Sequence, residues 1–481
     1  MLTRLKVDGF KNLIGFEVDF GPFNCMAGAN GVGKSNIFDV IHFLSLLADH
    51  KIIEAAQQIR NGDPETGGLR DLFWTNGERH AEAFSITAEM LIEPDVLDDF
   101  GRSTRASSTF LRYDLCIGYV APTETEPLEN VVLLWESLNY ITKGETSGRL
   151  RFPHSAKEFR NSVVFNKRRV RSGYISTEVG ADGQTEILIH QEGDSSGRPQ
   201  RAPARSAPKT IVGTSNTSTT PTILAARREM QRWRMLALEP SAMRGVDRLY
   251  AQHNTITANG DFLPATLYRL EKDALRRGEP AEEIRIRIAN RLAQFVPIRD
   301  LRVDVDQVRQ LLTLEVREAS GGWLPARSLS DGTLRFLTLC IMVEDYQSRG
   351  LICMEEPENG IHPAKMQAMV QLLRELSVDP EAAVDGDQGD NPLRQIIVAT
   401  HSPTFVQMQE PDDLLLACAV KMRTPEGRIT TTVRCRPLST SGKSTWRTSE
   451  TEPGVSLDTI LTYLTTLPGA QIKLPLDAIP S

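Results

Sequence analysis

No apolar run in this chain approaches the roughly 18–20 residues needed to cross a bilayer, so membrane insertion is not expected. The opening stretch instead holds Arg4, Lys6, Asp8, Lys11, Glu17 and Asp19, which leaves no apolar core for a secretory leader and points to a cytoplasmic protein. Six cysteines occur (Cys25, Cys116, Cys340, Cys353, Cys418, Cys435), none in a C-x-x-C pair, and the histidines are scattered. Buried free thiols are expected, not a zinc site or a disulfide framework. No heptad repeat lasts more than a few turns, which excludes a long coiled-coil arm. A net charge of −7 argues against a surface coated in basic groups, although local patches stay open. What the chain does have is length: 481 residues, 40% hydrophobic and 24% charged, can bury a sizeable core in several structural parts.

Gly28-Ala29-Asn30-Gly31-Val32-Gly33-Lys34-Ser35 is a complete G-x-x-x-x-G-K-S phosphate loop. An apolar strand, 23–27, leads in, and a helical pattern (Ile37, Val40, Ile41, Leu44, Leu47) leads out. The glycines let backbone N–H groups wrap phosphates at the positive end of that helix. Gly28, Asn30, Gly31, Gly33, Lys34, Ser35 and Asn36 are therefore the candidate nucleotide-binding positions. Lys34 would reach the β- and γ-phosphates and Ser35 would ligate Mg²⁺.

Three further blocks lie far downstream. Leu351-Ile352-Cys353-Met354-Glu355-Glu356 is an apolar run ending in two carboxylates, the pattern of a buried parallel strand that delivers acids to its carboxyl end. Just before it, Leu329-Ser330-Asp331-Gly332-Thr333 opens a helix through Leu334, Leu337 and Ile341, with Ser330 suited to an N-cap and Gly332 permitting close approach to an anion. After it, Ile396-Ile397-Val398-Ala399-Thr400-His401 is another apolar strand, ending in a histidine.

In this order the four blocks resemble the Walker A, signature, Walker B and switch-histidine motifs of the ABC superfamily's ATPase head. The text Glu355-Glu356-Pro357-Glu358-Asn359-Gly360-Ile361-His362-Pro363, and the opening Leu5-Lys6-Val7-Asp8-Gly9-Phe10-Lys11-Asn12, are similar to the SMC/RecF/OLD-like branch, in particular its stand-alone bacterial ATPases of anti-phage defence modules. The resemblance covers residues 1–90 and 295–435. It implies ATP and Mg²⁺ as cofactors, Ser35 and Glu355 as metal ligands, and Glu356, His401 and Lys34 as catalytic groups. Glu355 stands where many relatives carry aspartate, one methylene shorter. Ser330 and Gly332 would complete the site of a second subunit, so hydrolysis implies a homodimer, or a higher homo-oligomer, with ATP sandwiched between heads. The nucleotide-sensing glutamine of such heads is not assigned: Gln57 and Gln58 lie in the right span but read as helix.

The fold class expected is α/β, a P-loop ATPase head split by a large α+β insertion. Its divisions are 1–95 for the first part of the head, 96–294 for the insertion or cap, 295–437 for the rest of the head, and 438–481 for a linker and terminal helix. Within the insertion, alternating strands run through 84–120, 131–135 and 187–190, and helical signals return from 223 to 295. Residues 192–221, rich in Gly, Ser, Pro, Arg and Thr, read as a mobile loop. Basic groups cluster at Lys167, Arg168, Arg169 and Arg171, at Arg198, Arg201, Arg205 and Lys209, and at Arg227, Arg228, Arg232 and Arg234; they suit phosphate contacts with nucleic acid or a solvated face. Tyr174 and Trp233 are expected in the core.

After His401 a hairpin over 414–422 and 428–435 is expected, turning at Thr424-Pro425-Glu426-Gly427. Ser441-Gly442-Lys443-Ser444-Thr445 imitates half a phosphate loop, but Pro437 occupies the leading glycine's place and the stretch reads as a flexible linker. The final helix (Leu457, Ile460, Leu461, Leu464, Leu467) would bury its stripe on its own head in preference to another chain. OLD-type relatives carry a nuclease domain after the head; the residues remaining here are too few, so a nuclease-like effector would be a separate protein. The reading is thus a dimerising ATPase that regulates a partner effector. Two alternatives stand beside it: a DNA-repair or DNA-clamping ATPase, and an ATPase subunit driving a separate membrane or structural partner.

Overall fold

The apolar runs recognised in the sequence become neighbouring strands of one sheet. A computed structural model describes residues 1–59, 68–76, 79–124, 126–167, 172–180, 183–192, 198–250, 253–318, 321–385, 391–423, 429–440, 443–444, 446–447 and 454–465. Its six-stranded sheet runs in the order Arg234–Leu236, Gly350–Glu355, Arg394–Thr400, Phe23–Ala27, Leu414–Arg423, Ile429–Pro437. The first five are parallel and the last closes an antiparallel hairpin, as the 414–435 pattern predicts. The turn expected at 424–427 lies outside the described residues.

Alternation along the buried strands sends side chains to two cores. Leu351, Cys353, Ile397 and Ala399 join the phosphate-loop helix Lys34–Leu47 on one face. Ile352, Met354, Ile396 and Val398 join the helices Asp331–Glu344 and Met366–Leu376 on the other. Helices on both faces explain why these strands read as continuous apolar runs.

An eight-stranded antiparallel sheet shares the first core. Its order is Gln200–Pro203, Thr185–Ile189, Ile175–Val179, Asn130–Tyr140, Phe110–Val120, Ala83–Leu91, Leu2–Asp8, Phe16–Asp19. One sheet thus carries both the chain's opening strands and most of the expected insertion strands, because the period-2 pattern of 84–120 finds its edge partner in Leu2–Asp8. The helical part contributes in the same way: Arg234–Leu236 adds a parallel strand beside Gly350–Glu355.

Two expectations meet a different outcome. The stretch 192–221, read as a mobile loop, contains the strand Gln200–Pro203 and the helical turn Ile211–Thr214 among its described residues. The reason is a partner elsewhere in the chain: the fully buried Glu136 carboxylate accepts hydrogen bonds from Ile211 N at 2.7 Å, Val212 N at 3.0 Å and Tyr113 Oη at 3.1 Å. Burial raises its pKa to about 7.

The terminal segment is also more tightly held than a linker reading implies. Ser439–Thr440 pairs with Lys443–Ser444, Arg447 is buried against Asn24, Asp19 and Asp412, and Ile460 of the helix Leu457–Thr465 is fully buried in the second core. Leu467 lies outside the described residues. Ile460, with the half-buried Leu461 and Leu464, therefore docks on its own head, while Leu457 is exposed. Deleting residues 438–481 is expected to lower solubility and the melting temperature, since Leu438, Arg447, Val455 and Ile460 are all buried. A truncated chain that melts at the full-length temperature would show that this segment does not belong to the core.

Among the described residues, the basic cluster at 227–234 is spent inside the protein. Arg227 pairs with Asp49 and Asp99, Arg228 with Asp99, Arg232 with Glu93 and Arg201 with Glu186. Arg234 donates to Ser348 Oγ at 2.8 Å, and Lys209 to Asp49 O at 2.7 Å. Arg198 and Arg205 are exposed, and Arg168, Arg169 and Arg171 lie outside the described residues. Tyr174 and Trp233 are core residues, as expected. Five of the six cysteines are buried, Cys116 is half-buried, and all are free thiols. Among the described residues no helix is long and apolar enough to cross a membrane.

Candidate nucleotide site

The register of the central sheet brings three of the four sequence blocks to its carboxyl edge. Thr400 pairs with Ala27, and Glu355 with Ala399, so three strands end side by side. This is the edge at which open α/β sheets bind ligands. Gly28 N donates to Thr400 O at 3.1 Å, tying the start of the phosphate loop to the histidine strand.

Within the loop, Gly31 and Gly33 take φ of 76° and 111°, where a side chain would be strained. A Cβ on Gly33 would also lie 2.5 Å from Asn12 Nδ2 and 2.7 Å from Val433 Cγ2. Gly33 precedes the first helical turn with no side-chain cap, which leaves the leading N–H groups to the loop. Lys34 Nζ folds over the loop and donates to Gly28 O at 2.6 Å and Ala29 O at 3.0 Å. Burial holds the Lys34 ammonium below its ordinary range, opposed by Glu356, Glu355 and Glu358. Asn36 donates to Asn12 Oδ1 at 2.8 Å, and Asn12 to Val32 O at 3.4 Å, so the opening turn of the chain braces the loop from behind.

Ser35 Oγ donates to Glu355 Oε1 at 2.7 Å. The extra methylene of Glu355 therefore still reaches the serine. A hydroxyl and a carboxylate at this distance form an all-oxygen donor set suited to a hard cation such as Mg²⁺, which takes further ligands from water and phosphates. Among the described residues no group of three or more His, Cys, Asp or Glu forms an all-protein metal site.

Glu356 occupies the left-handed region, with φ 49°, immediately after the strand. Three contacts hold it there: its N donates to Ala399 O at 2.8 Å, Asn359 Nδ2 donates to its Oε2 at 2.7 Å, and His401 Nδ1 lies 2.6 Å from its Oε1. Both side chains keep access to solvent, 33% for Glu356 and 45% for His401. His362 stands apart from this pair, capping the short helix Pro363–Lys365.

Ser330 is the N-cap of Asp331–Glu344, accepting from Thr333 N at 3.4 Å. Gly332 packs on the turn after Glu356: a Cβ there would lie 2.6 Å from Gly360 O. Arg335 donates to Asn359 O at 2.7 Å, and Arg244 pairs with Asp331 at 2.6 Å. The signature segment is thus seated against the turn that carries Glu356. Gln57 and Gln58 end the helix Ile52–Gln58 and are exposed.

Asn12, Glu358, Asn359 and Thr400 escaped the sequence reading. They stood only as members of the quoted motif text, which does not reveal which polar side chains turn inward.

Residues 242–407 match the protein family described as "AAA domain, putative AbiEii toxin, Type IV TA system". Curated relatives include the DNA replication and repair protein RecF of Parabacteroides distasonis, 41% identical over 66 residues, and that of Porphyromonas gingivalis, 33% identical over 64 residues. Each match spans 18% of the RecF protein and 14% or 13% of this chain. These partial matches support an ABC-type ATPase head of the SMC/RecF-like kind. Among solved structures, an Smc head bound to the C-winged helix domain of ScpA covers 91% of this chain and 98% of its own, with TM-score 0.45 and 13% identity. The SMC head domain of Thermotoga maritima gives TM-score 0.37 and 10% identity. Superpositions this loose add nothing to the strand order and motifs of the head described above.

Proposed function

We propose that this SMC/RecF-like head binds ATP with Mg²⁺, hydrolyses it at a head–head interface, and through that cycle regulates a partner effector of the nuclease-like kind in a defence-type module. The observation carrying the ATPase reading is the convergence of Ser35–Glu355 and Glu356–His401 beside the phosphate loop. Lys34 turns from the loop carbonyls to the β- and γ-phosphates, and the loop N–H groups with Asn36 orient the triphosphate. Ser35 and Glu355 would hold Mg²⁺, which neutralises charge building on the phosphate oxygens. Glu356 orients the attacking water and accepts its proton, while His401 fixes the Glu356 carboxylate and contacts the γ-phosphate. Ser330 and Gly332 complete the partner subunit's site. The divisions 1–95, 96–294, 295–437 and 438–481 would then be the first part of the head, the insertion or cap, the rest of the head, and a linker with the terminal helix. Phosphate release from Mg²⁺-ATP, abolished by chelation, is the expected result; no release at any protein concentration would overturn the reading.

A DNA-clamping role is the second reading, and the RecF likeness favours it. Against it, Arg227, Arg228 and Arg232 are already paired within the chain. Stimulation of ATP turnover by DNA would decide for clamping; co-purification with a neighbouring effector and indifference to DNA would decide for the first reading.

Ser330→Arg is expected to abolish hydrolysis while leaving ATP loading of each head intact, because a bulky cation blocks closure but not the phosphate loop. Mixing it with Lys34→Ala chains should restore partial activity, since one composite site keeps both intact halves. No recovery despite demonstrated heterodimers would mean that the site is complete within one chain.

A further inference from the structure

We infer that Glu358 is a positioning residue of the hydrolytic site, locking the Glu356 turn to the His401 loop through Thr400. This rests on the ATPase reading of the same site. Glu358 lies two residues beyond Glu356, yet its side chain points inward and is only 6% exposed. Its Oε1 is hydrogen-bonded to Thr400 Oγ1, and Thr400 is the fully buried last residue of the strand before His401. Ser402 N donates to the same hydroxyl at 2.9 Å. Thr400 Oγ1 thus donates its one proton to Glu358 and accepts from Ser402 N on a lone pair.

Thr400 also joins a third segment, since its carbonyl accepts from Gly28 N at the head of the phosphate loop. One buried threonine therefore links the phosphate loop, the Glu356 turn and the histidine loop. Ile361 N donates to Glu358 O at 3.0 Å, closing the turn around the buried carboxyl. Glu358 Oε2 is buried without a hydrogen-bond partner, and burial pushes the carboxyl's pKa up. A buried polar atom left unpaired is destabilising. Such a group is a poor choice for stability alone, and its position beside the Glu356–His401 pair gives it a use.

Glu356 depends on this lock. Its left-handed backbone and its 2.6 Å contact with His401 need both loops held at one spacing. A displacement of about 1 Å at a reacting group can cost a hundredfold in rate.

The test compares Glu358→Ala, Thr400→Val and Thr400→Ser, the last keeping the hydroxyl. Expected for the first two is a fall in kcat of about thirty- to a hundredfold with KM for Mg²⁺-ATP within about threefold of wild type. Thr400→Ser should stay near wild-type turnover, and the double variant Glu358→Ala/Thr400→Val should be no worse than either single. The His401 ring resonances, followed by NMR in nucleotide-free protein, should move in Glu358→Ala and stay in Thr400→Ser. Equal kcat in Glu358→Ala and wild type, a joint loss of kcat and nucleotide affinity, or additive losses in the double variant would each overturn the lock. If wild type itself shows no turnover, the ATPase reading falls, and the His401 resonances alone decide whether Glu358 positions that loop.

Discussion

Glu356→Gln is expected to cut ATP turnover by about a hundredfold or more while leaving ATP bound, the magnitude associated with loss of a general base. The amide keeps the carboxylate's shape and one oxygen, so Asn359 Nδ2 can still donate to it and the left-handed turn survives. What disappears is the group able to take a proton from water. Unhydrolysed ATP should then hold two heads together, read as a shift to dimer in size-exclusion chromatography with ATP. Turnover at the wild-type rate would remove Glu356 from the mechanism. Dimerisation without ATP would instead separate assembly from the nucleotide cycle.

Lys34→Ala is expected to weaken ATP binding by about a hundredfold or more, since two charge-assisted hydrogen bonds to phosphate are worth about 1.5–3 kcal/mol each. The fold should persist. Among the described residues Lys34 bonds to the loop carbonyls of Gly28 and Ala29, and the helix behind it is anchored by Ile37, Phe38, Val40 and Ile41 in the core. Titration with a fluorescent ATP analogue, alongside thermal melts, separates lost binding from lost fold. Micromolar affinity in the variant would place the nucleotide elsewhere.

The sequence announced the head through features that are local and redundant. A phosphate loop needs its glycines and lysine at fixed spacing, and buried parallel strands must be apolar throughout, so 23–27, 351–354 and 396–399 were all legible. The signature helix was equally clear, because Ser330 and the apolar spacing behind it describe one capped helix. Basic residues misled for the opposite reason. Arg227 and Arg228 look like a charged helix face until Asp49 and Asp99, distant in sequence, arrive beside them.

The sequence by itself thus determined the nucleotide-binding class, the α/β sheet and the order of its motifs, since local backbone geometry and apolar periodicity decide these. Tertiary structure alone decided which polar groups meet. It set Ser35 against Glu355 and His401 against Glu356, turned Glu358 inward onto Thr400, and gave 192–221 an acceptor in Glu136. Each of these contacts joins segments far apart in sequence, so no local pattern specifies it. Only the burial that comes with packing obliges a polar group to find its partner.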